Sequence, residues 1–109
     1  MVKAIRQYEV YWISLDPTQG SEMAKTRPCV IVSPDEMNLF LRTVVVIPIT
    51  STVKSYPWRV KCSIADRDGS IAADQIKVVD RTRIGAGISK LSKKEIIALK
   101  EVLKKMLID

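Results

Sequence analysis

Apolar and polar residues alternate along most of this chain, and apolar residues take up helical spacing only near its end. Tyr8 to Leu15 reads as a first strand, with Tyr8, Val10 and Trp12 on one side and Glu9, Tyr11 and Ile13 on the other. Both sides are partly apolar, as in a small barrel. Pro28 to Ser33 is a near-continuous run rich in β-branched residues and predicts a second strand. Thr43 to Ile49 predicts a third, paired with the second, and Pro48 limits its ladder near the end because it has no N–H to donate. Between these two, Pro34 to Phe40 predicts a short helical or irregular turn with Asn38 inside it. Trp58 to Ile64 alternates as a fourth strand, and Asp66-Arg67-Asp68-Gly69 predicts a tight turn that sends Ser70 to Ala73 back as a fifth. Asp74 to Asp80 mixes polar and apolar residues, and Gly85 and Gly87 read as a break.

The last element is a helix. Ser92-Lys93-Lys94-Glu95 is a capping box, in which the serine hydroxyl accepts from a backbone amide one turn on and the glutamate accepts from the serine amide. Ile96, Leu99, Leu103 and Met106 follow at spacings of three and four, with Val102 and Leu107 widening the stripe. The expected architecture is a small, strongly twisted antiparallel sheet or barrel, mainly β, closed by one C-terminal helix. At 109 residues the chain is read as one domain, 1–109. No apolar run approaches the roughly 18 residues of a membrane span, and MVKAIRQYEV lacks the apolar block of a signal peptide, so a cytoplasmic protein is expected.

The net charge of +6 invites a nucleic-acid partner, but half of it falls in residues 90–109, where lysines occupy the solvated face of the helix. Cys29 and Cys62 both lie in apolar strand patterns and read as small buried residues. With no histidine in the sequence, two cysteines cannot complete a zinc site without carboxylates, and His-dependent triads are excluded. No P-loop or dinucleotide fingerprint is present. No metal or cofactor is expected. Trp12 and Trp58 read as core or interface residues.

The polar side chains that could carry chemistry crowd the stretch DPTQGSEMAKTRPCVIVSP, Asp16 to Pro34, which opens as a turn and ends as a strand. Ser21, Glu22, Lys25 and Arg27 lie there, and the third strand ends in the hydroxyls Thr50 and Ser51. An arginine fork beside hydroxyls suits negative charge that builds on a phosphate. It suits proton abstraction poorly, because its pKa lies above about 12.

The order LDPTQGSE, KTRPCVIVSPDEMN, VVVIPITS, YPWRV and IAADQIKVVDRTRI before a terminal helix resembles the MazF/PemK (Kid) family of toxin endoribonucleases, from about Tyr8 to the end of the helix. The resemblance implies an SH3-like barrel and a homodimer that cuts single-stranded RNA at short sequences without metal. The ribose 2′-OH would attack its own phosphate, leaving a 2′,3′-cyclic phosphate and a 5′-OH. It further implies an acidic antitoxin that blocks the RNA site, and binding of promoter DNA only as the toxin–antitoxin complex.

By the same resemblance, the essential arginine falls on Arg27, the threonine on Thr50 and an acidic position on Glu22; Ser21, Lys25 and Ser51 beside them are candidate RNA contacts. Asn38 and Gln75 fall where members touch RNA, and Asp74 matches an aspartate implicated in a subset. Glu22 and Asp74 are the candidate bases. Two positions depart from the pattern. Tyr8-Glu9 stands where many members have Gly-Asp, and Ala72 where some have a catalytic arginine. Two competing readings use the same barrel: a toxin that poisons DNA gyrase, and a non-catalytic nucleic-acid or corepressor module.

Overall fold

Seven of the eight residues from Thr43 to Thr50 are β-branched, and this strand, β3, is the centre of the sheet. The computed structural model describes residues 4–15, 25–52 and 55–109. Around β3 lie β1 (Glu9–Ser14), β2 (Thr26–Ile31), β4 (Arg59–Ile64), β5 (Arg67–Ala72), β6 (Lys77–Asp80) and β7 (Ile84–Lys90). The described residues also form two α-helices, α1 (Asp35–Phe40) and α2 (Lys93–Leu107). All pairings are antiparallel, in the order β4-β5-β3-β2-β1-β7, with β6 also on β3. The curved sheet brings β7 back beside β4, giving the expected mainly-β barrel with one C-terminal helix.

Along one edge β3 changes partner. Thr43 to Val46 pair with β6, and Ile49 and Thr50 pair with β5. Pro48, which lacks an N–H, sits at the changeover, so no donor is orphaned there.

Two apolar clusters fill the two sides of the sheet. One gathers Val10, Val30, Ile47, Ile49, Val60, Cys62, Ile64 and Ile71 under Leu99 of α2. The other holds Tyr11, Ile13, Cys29, Ile31, Val44, Val46 and Val79. The capping box at Ser92 and Glu95 forms as expected. Glu95 also accepts from the Ser63 amide at 2.8 Å, tying the first turn of α2 to β4. Leu99, fully buried, contributes about 1.5–3 kcal/mol. The expected stripe ends early, since Met106 and Leu107 are exposed.

Three local readings differ from the structure. The β4–β5 turn is Ala65-Asp66, both at positive φ (50° and 65°), and Arg67 to Gly69 already belong to β5. Gly69 serves a close approach instead of a turn: a Cβ there would lie 2.9 Å from the Thr50 carbonyl oxygen. Gly85 and Gly87 do not break the chain but lie in β7, paired with β1 through an irregular register. That register skips Trp12, which is 44% exposed, so it is not a core residue.

At Tyr8 the backbone takes φ 71°, a conformation that glycine adopts without strain. The glycine-like turn entering β1 is therefore kept by a tyrosine. Glu9 is fixed beside it, accepting from the Tyr11 hydroxyl at 2.6 Å and the Arg6 amide at 2.9 Å. Burial, with help from Glu9, pushes the Tyr11 hydroxyl up to about 12.

Candidate active site

The register of β2 against β3 places Cys29 opposite Pro48 and Ile31 opposite Val46. Continued by two residues, it sets Arg27 opposite Thr50, on the same face of the sheet. Ser70 of β5 pairs with Thr50, and Lys61 of β4 pairs with Ser70. A polar row of Arg27, Thr50, Ser70 and Lys61 thus crosses four strands. The next row on that face is Cys29, Pro48, Ala72 and Arg59, of which the first three are buried. Charge at Arg27 is therefore floored by apolar side chains, where Coulomb interactions are less screened than in water.

Arg27 and Thr50 line one open groove of about 610 Å³ together with Lys25, Ser51, Trp12, Arg67, Asp68 and Gly69. The groove carries three cations against one carboxylate. Thr50 is 7% exposed, and its Oγ1 accepts from the Thr52 amide at 3.2 Å. That bond fixes the side chain and leaves the hydroxyl proton to donate. Ser70 is fully buried beside it, and its hydroxyl finds no partner among the described residues. A larger groove of about 920 Å³ runs between α2 and the β4–β5 hairpin, sharing Asp68 and Gly69 with the first but containing neither Arg27 nor Thr50.

Of the residues singled out from the sequence, Arg27, Thr50, Lys25 and Ser51 come together in this groove. Ser21 and Glu22 lie outside the described residues. Asn38 is not brought to the groove: at 1% exposure its amide donates to the Ser33 carbonyl at 2.9 Å and accepts from the Ser33 hydroxyl. Its carbonyl accepts from Arg81, so Asn38 fastens α1 to the turn after β6. Asp74 and Gln75 sit in a 3-10 turn beyond the Ala72 end of β5 and do not line the groove.

Arg59 was not singled out from the sequence, yet β4 sets it opposite Ala72, where its guanidinium meets Asp74 at 2.8 and 3.2 Å. Partial burial works to raise the Asp74 carboxyl, but hydrogen bonds from Arg59, its own amide and Gln75 outweigh this and hold it below its ordinary value. Only the PWR sequence before an alternating strand hinted at this role. Cys29 and Cys62 are free and buried, and burial pushes both thiols up to about 12, which leaves them unreactive. No cluster of three metal-ligating side chains occurs among the described residues.

A family model described as PemK-like, MazF-like toxin of type II toxin–antitoxin system matches residues 6–107. The chain belongs to this family. Among its relatives, the MazF9 endoribonuclease of Mycobacterium tuberculosis is 34% identical over 110 residues, covering 92% of this chain and 93% of its own. The Escherichia coli endoribonuclease toxin MazF is 39% identical over 71 residues, 65% of this chain. That match spans 64% of the E. coli protein, less than two thirds of its length. Among solved structures, Deinococcus radiodurans MazF superposes with a TM-score of 0.87 at 22% identity, covering 97% of this chain and 98% of that one. An endoribonuclease in complex with its cognate antitoxin, from a mycobacterial species, gives 0.82 at 22% identity with 95% of each chain covered. These two likenesses bear on the fold, in which this PemK-like, MazF-like chain carries the Arg27–Thr50 groove.

Proposed function

We propose that this protein is the endoribonuclease toxin of a toxin–antitoxin pair and cuts single-stranded RNA in the Arg27–Thr50 groove. The observation that carries the reading is the placement of an arginine and a fixed threonine hydroxyl on adjacent strands of one face, in a member of a family whose curated relatives are named endoribonucleases. In the reaction the 2′-oxygen attacks the adjacent phosphorus and loses its proton, and the bond to the 5′-oxygen breaks as that oxygen gains one. The products are a 2′,3′-cyclic phosphate and a 5′-OH.

Each side chain has a role suited to its chemistry. Arg27 donates to the equatorial oxygens of the pentacovalent state, where charge is greater than in bound RNA. Thr50, its acceptor already occupied by Thr52, donates to the phosphate or orients the 2′-OH. Glu22 takes the proton, since Asp74 is engaged by Arg59 and held ionised. Lys25, Ser51 and Ser21 contact the strand, and Gln75 and Asp74 meet it further along. The step needs no metal to make its nucleophile, because the attacking group belongs to the substrate.

The active form is a homodimer in the cytoplasm. An acidic antitoxin segment covers the basic groove, and the pair together occupies promoter DNA. The antitoxin-bound mycobacterial structure supports the partner.

The reading is tested by incubating the purified protein with a long RNA in EDTA and identifying the fragment ends. Cyclic phosphate and 5′-OH ends are expected, and a 2′-deoxy nucleotide at the scissile position should stop cleavage. Activity lost in EDTA and restored by magnesium would overturn the mechanism. Intact RNA that still binds would favour a non-catalytic module, and gyrase inhibition without either would favour the gyrase-poison reading.

A further inference from the structure

Tyr56 and Trp58 belong to neither apolar cluster. Their rings stack with centroids 5.0 Å apart and planes 16° from parallel, and each residue remains 42% exposed. The pair is braced from one side. The Arg59 guanidinium stands 5.9 Å from the Tyr56 centroid, and Asp74 fixes that guanidinium through two hydrogen bonds. Flat aromatic surface is thus held stiff and left open to solvent.

A lysine stands near the stack, and the residues between its two rings and after it, Pro57 and Arg59, line a groove that leads to the Arg27–Thr50 groove. Lys61, exposed, lies two residues from Arg59 on the same face of β4 and ends the row that begins at Arg27. Arg59 lines the larger groove, which meets the Arg27–Thr50 groove at Asp68 and Gly69. Every nucleobase has a face that stacks on an aromatic ring, and every linkage has a phosphate for a nearby cation. An apolar protein segment would gain little from the flanking lysine and arginine.

We propose that the Tyr56–Trp58 stack is a platform for an unpaired base of the RNA strand lying in the groove, outside the nucleotide whose phosphate is cut. The proposal rests on the ribonuclease reading for the identity of the strand. The platform acts on affinity and on which substrates are long enough to be cut well, and takes no part in bond making.

The test measures binding and cutting separately. A labelled 2′-O-methyl RNA, which cannot be cleaved, is titrated by anisotropy with the parent protein, Trp58→Leu, Tyr56→Leu and Trp58→Phe, and melting temperatures confirm folding. Trp58→Leu should weaken binding about tenfold, within the range of one base–aromatic stack, and Trp58→Phe should recover most of it. On long RNA, Trp58→Leu should raise KM with little change in kcat, and on the shortest cleavable oligonucleotide it should change neither. Equal binding by parent and Trp58→Leu would overturn the platform. Unchanged RNA binding with lost self-association in sedimentation would also overturn it and mark the stack as a protein interface. Trp58-dependent binding without any cleavage by the parent would sink the ribonuclease reading and leave the platform standing.

Discussion

Arg59 and Asp74 close a two-point ion pair across the β4–β5 edge, at 2.8 and 3.2 Å, because the hairpin register sets Arg59 opposite Ala72. The arginine comes from the neighbouring strand to a place where position 72 offers only a methyl group. A carboxylate held in this way stays ionised and accepts a proton poorly, which directs the search for the base to Glu22.

The pair should show itself in the pH dependence of stability. Asp74 has a folded-state pKa depressed below its ordinary value, so its contribution is present above that value and disappears as pH falls through the depressed one. Asp74→Asn should therefore melt below the parent at neutral pH, by about 1 kcal/mol or less for a partly exposed pair. As pH falls through the depressed value the two melting curves should converge. A gap that persisted in acid would mean that the pairing is not its cause.

Arg27→Ala should lower turnover about 10²-fold or more, as loss of one oxyanion donor typically does, with a smaller effect on affinity. Arg27→Lys keeps the charge without the planar fork and should recover only a small part of the rate. Thr50→Val should slow turnover in a folded protein. Parent-like turnover by a folded Arg27→Ala would remove this groove as the active site.

Gly69→Ala tests the close approach of β5 to β3. The added methyl would meet the Thr50 carbonyl oxygen at 2.9 Å and an Ile49 methyl at 3.2 Å, both set in the sheet. We expect a loss of about 1–3 kcal/mol in urea unfolding, together with reduced turnover, because the strand that carries Thr50 must shift. Unchanged stability would show that β5 yields freely.

Tyr8 isolates a backbone effect. Tyr8→Gly and Tyr8→Ala both remove the ring, but only alanine keeps the side-chain penalty at φ 71°. Tyr8→Gly should be the more stable of the two by about 1 kcal/mol. Equal midpoints in denaturant would argue that this turn relaxes when the ring is lost.

What could be read from the sequence was what is decided locally. The capping box needs only residues three apart, and it forms between Ser92 and Glu95. Alternation in β4 survived because it has one steady neighbour, β5, along its whole length. Gly69 misled the placement of the hairpin turn, since a glycine demanded by a neighbouring strand looks the same in sequence as one demanded by φ. Trp12 escaped the alternation of β1 because β7 pairs irregularly with it. In the groove, Arg27, Lys25, Thr50 and Ser51 were recognisable from motif and residue type. Arg59 was not, because its importance arises from register with Ala72, and Asn38 was misplaced because nothing local reveals that Ser33 will take its side chain.

The β2–β3 register, continued from Cys29, sets Arg27 beside Thr50; Thr50 pairs on its other side with Ser70, and β1, whose Ile13 pairs with Arg27, has β7 as its second neighbour among the described residues. A ribosome releases the chain from its N-terminus at about 5–20 residues per second. The row is unfinished until β5 has emerged and unsupported at one end until β7 has followed. A growing chain therefore lacks the completed row until the segments that form β5 and β7 have emerged.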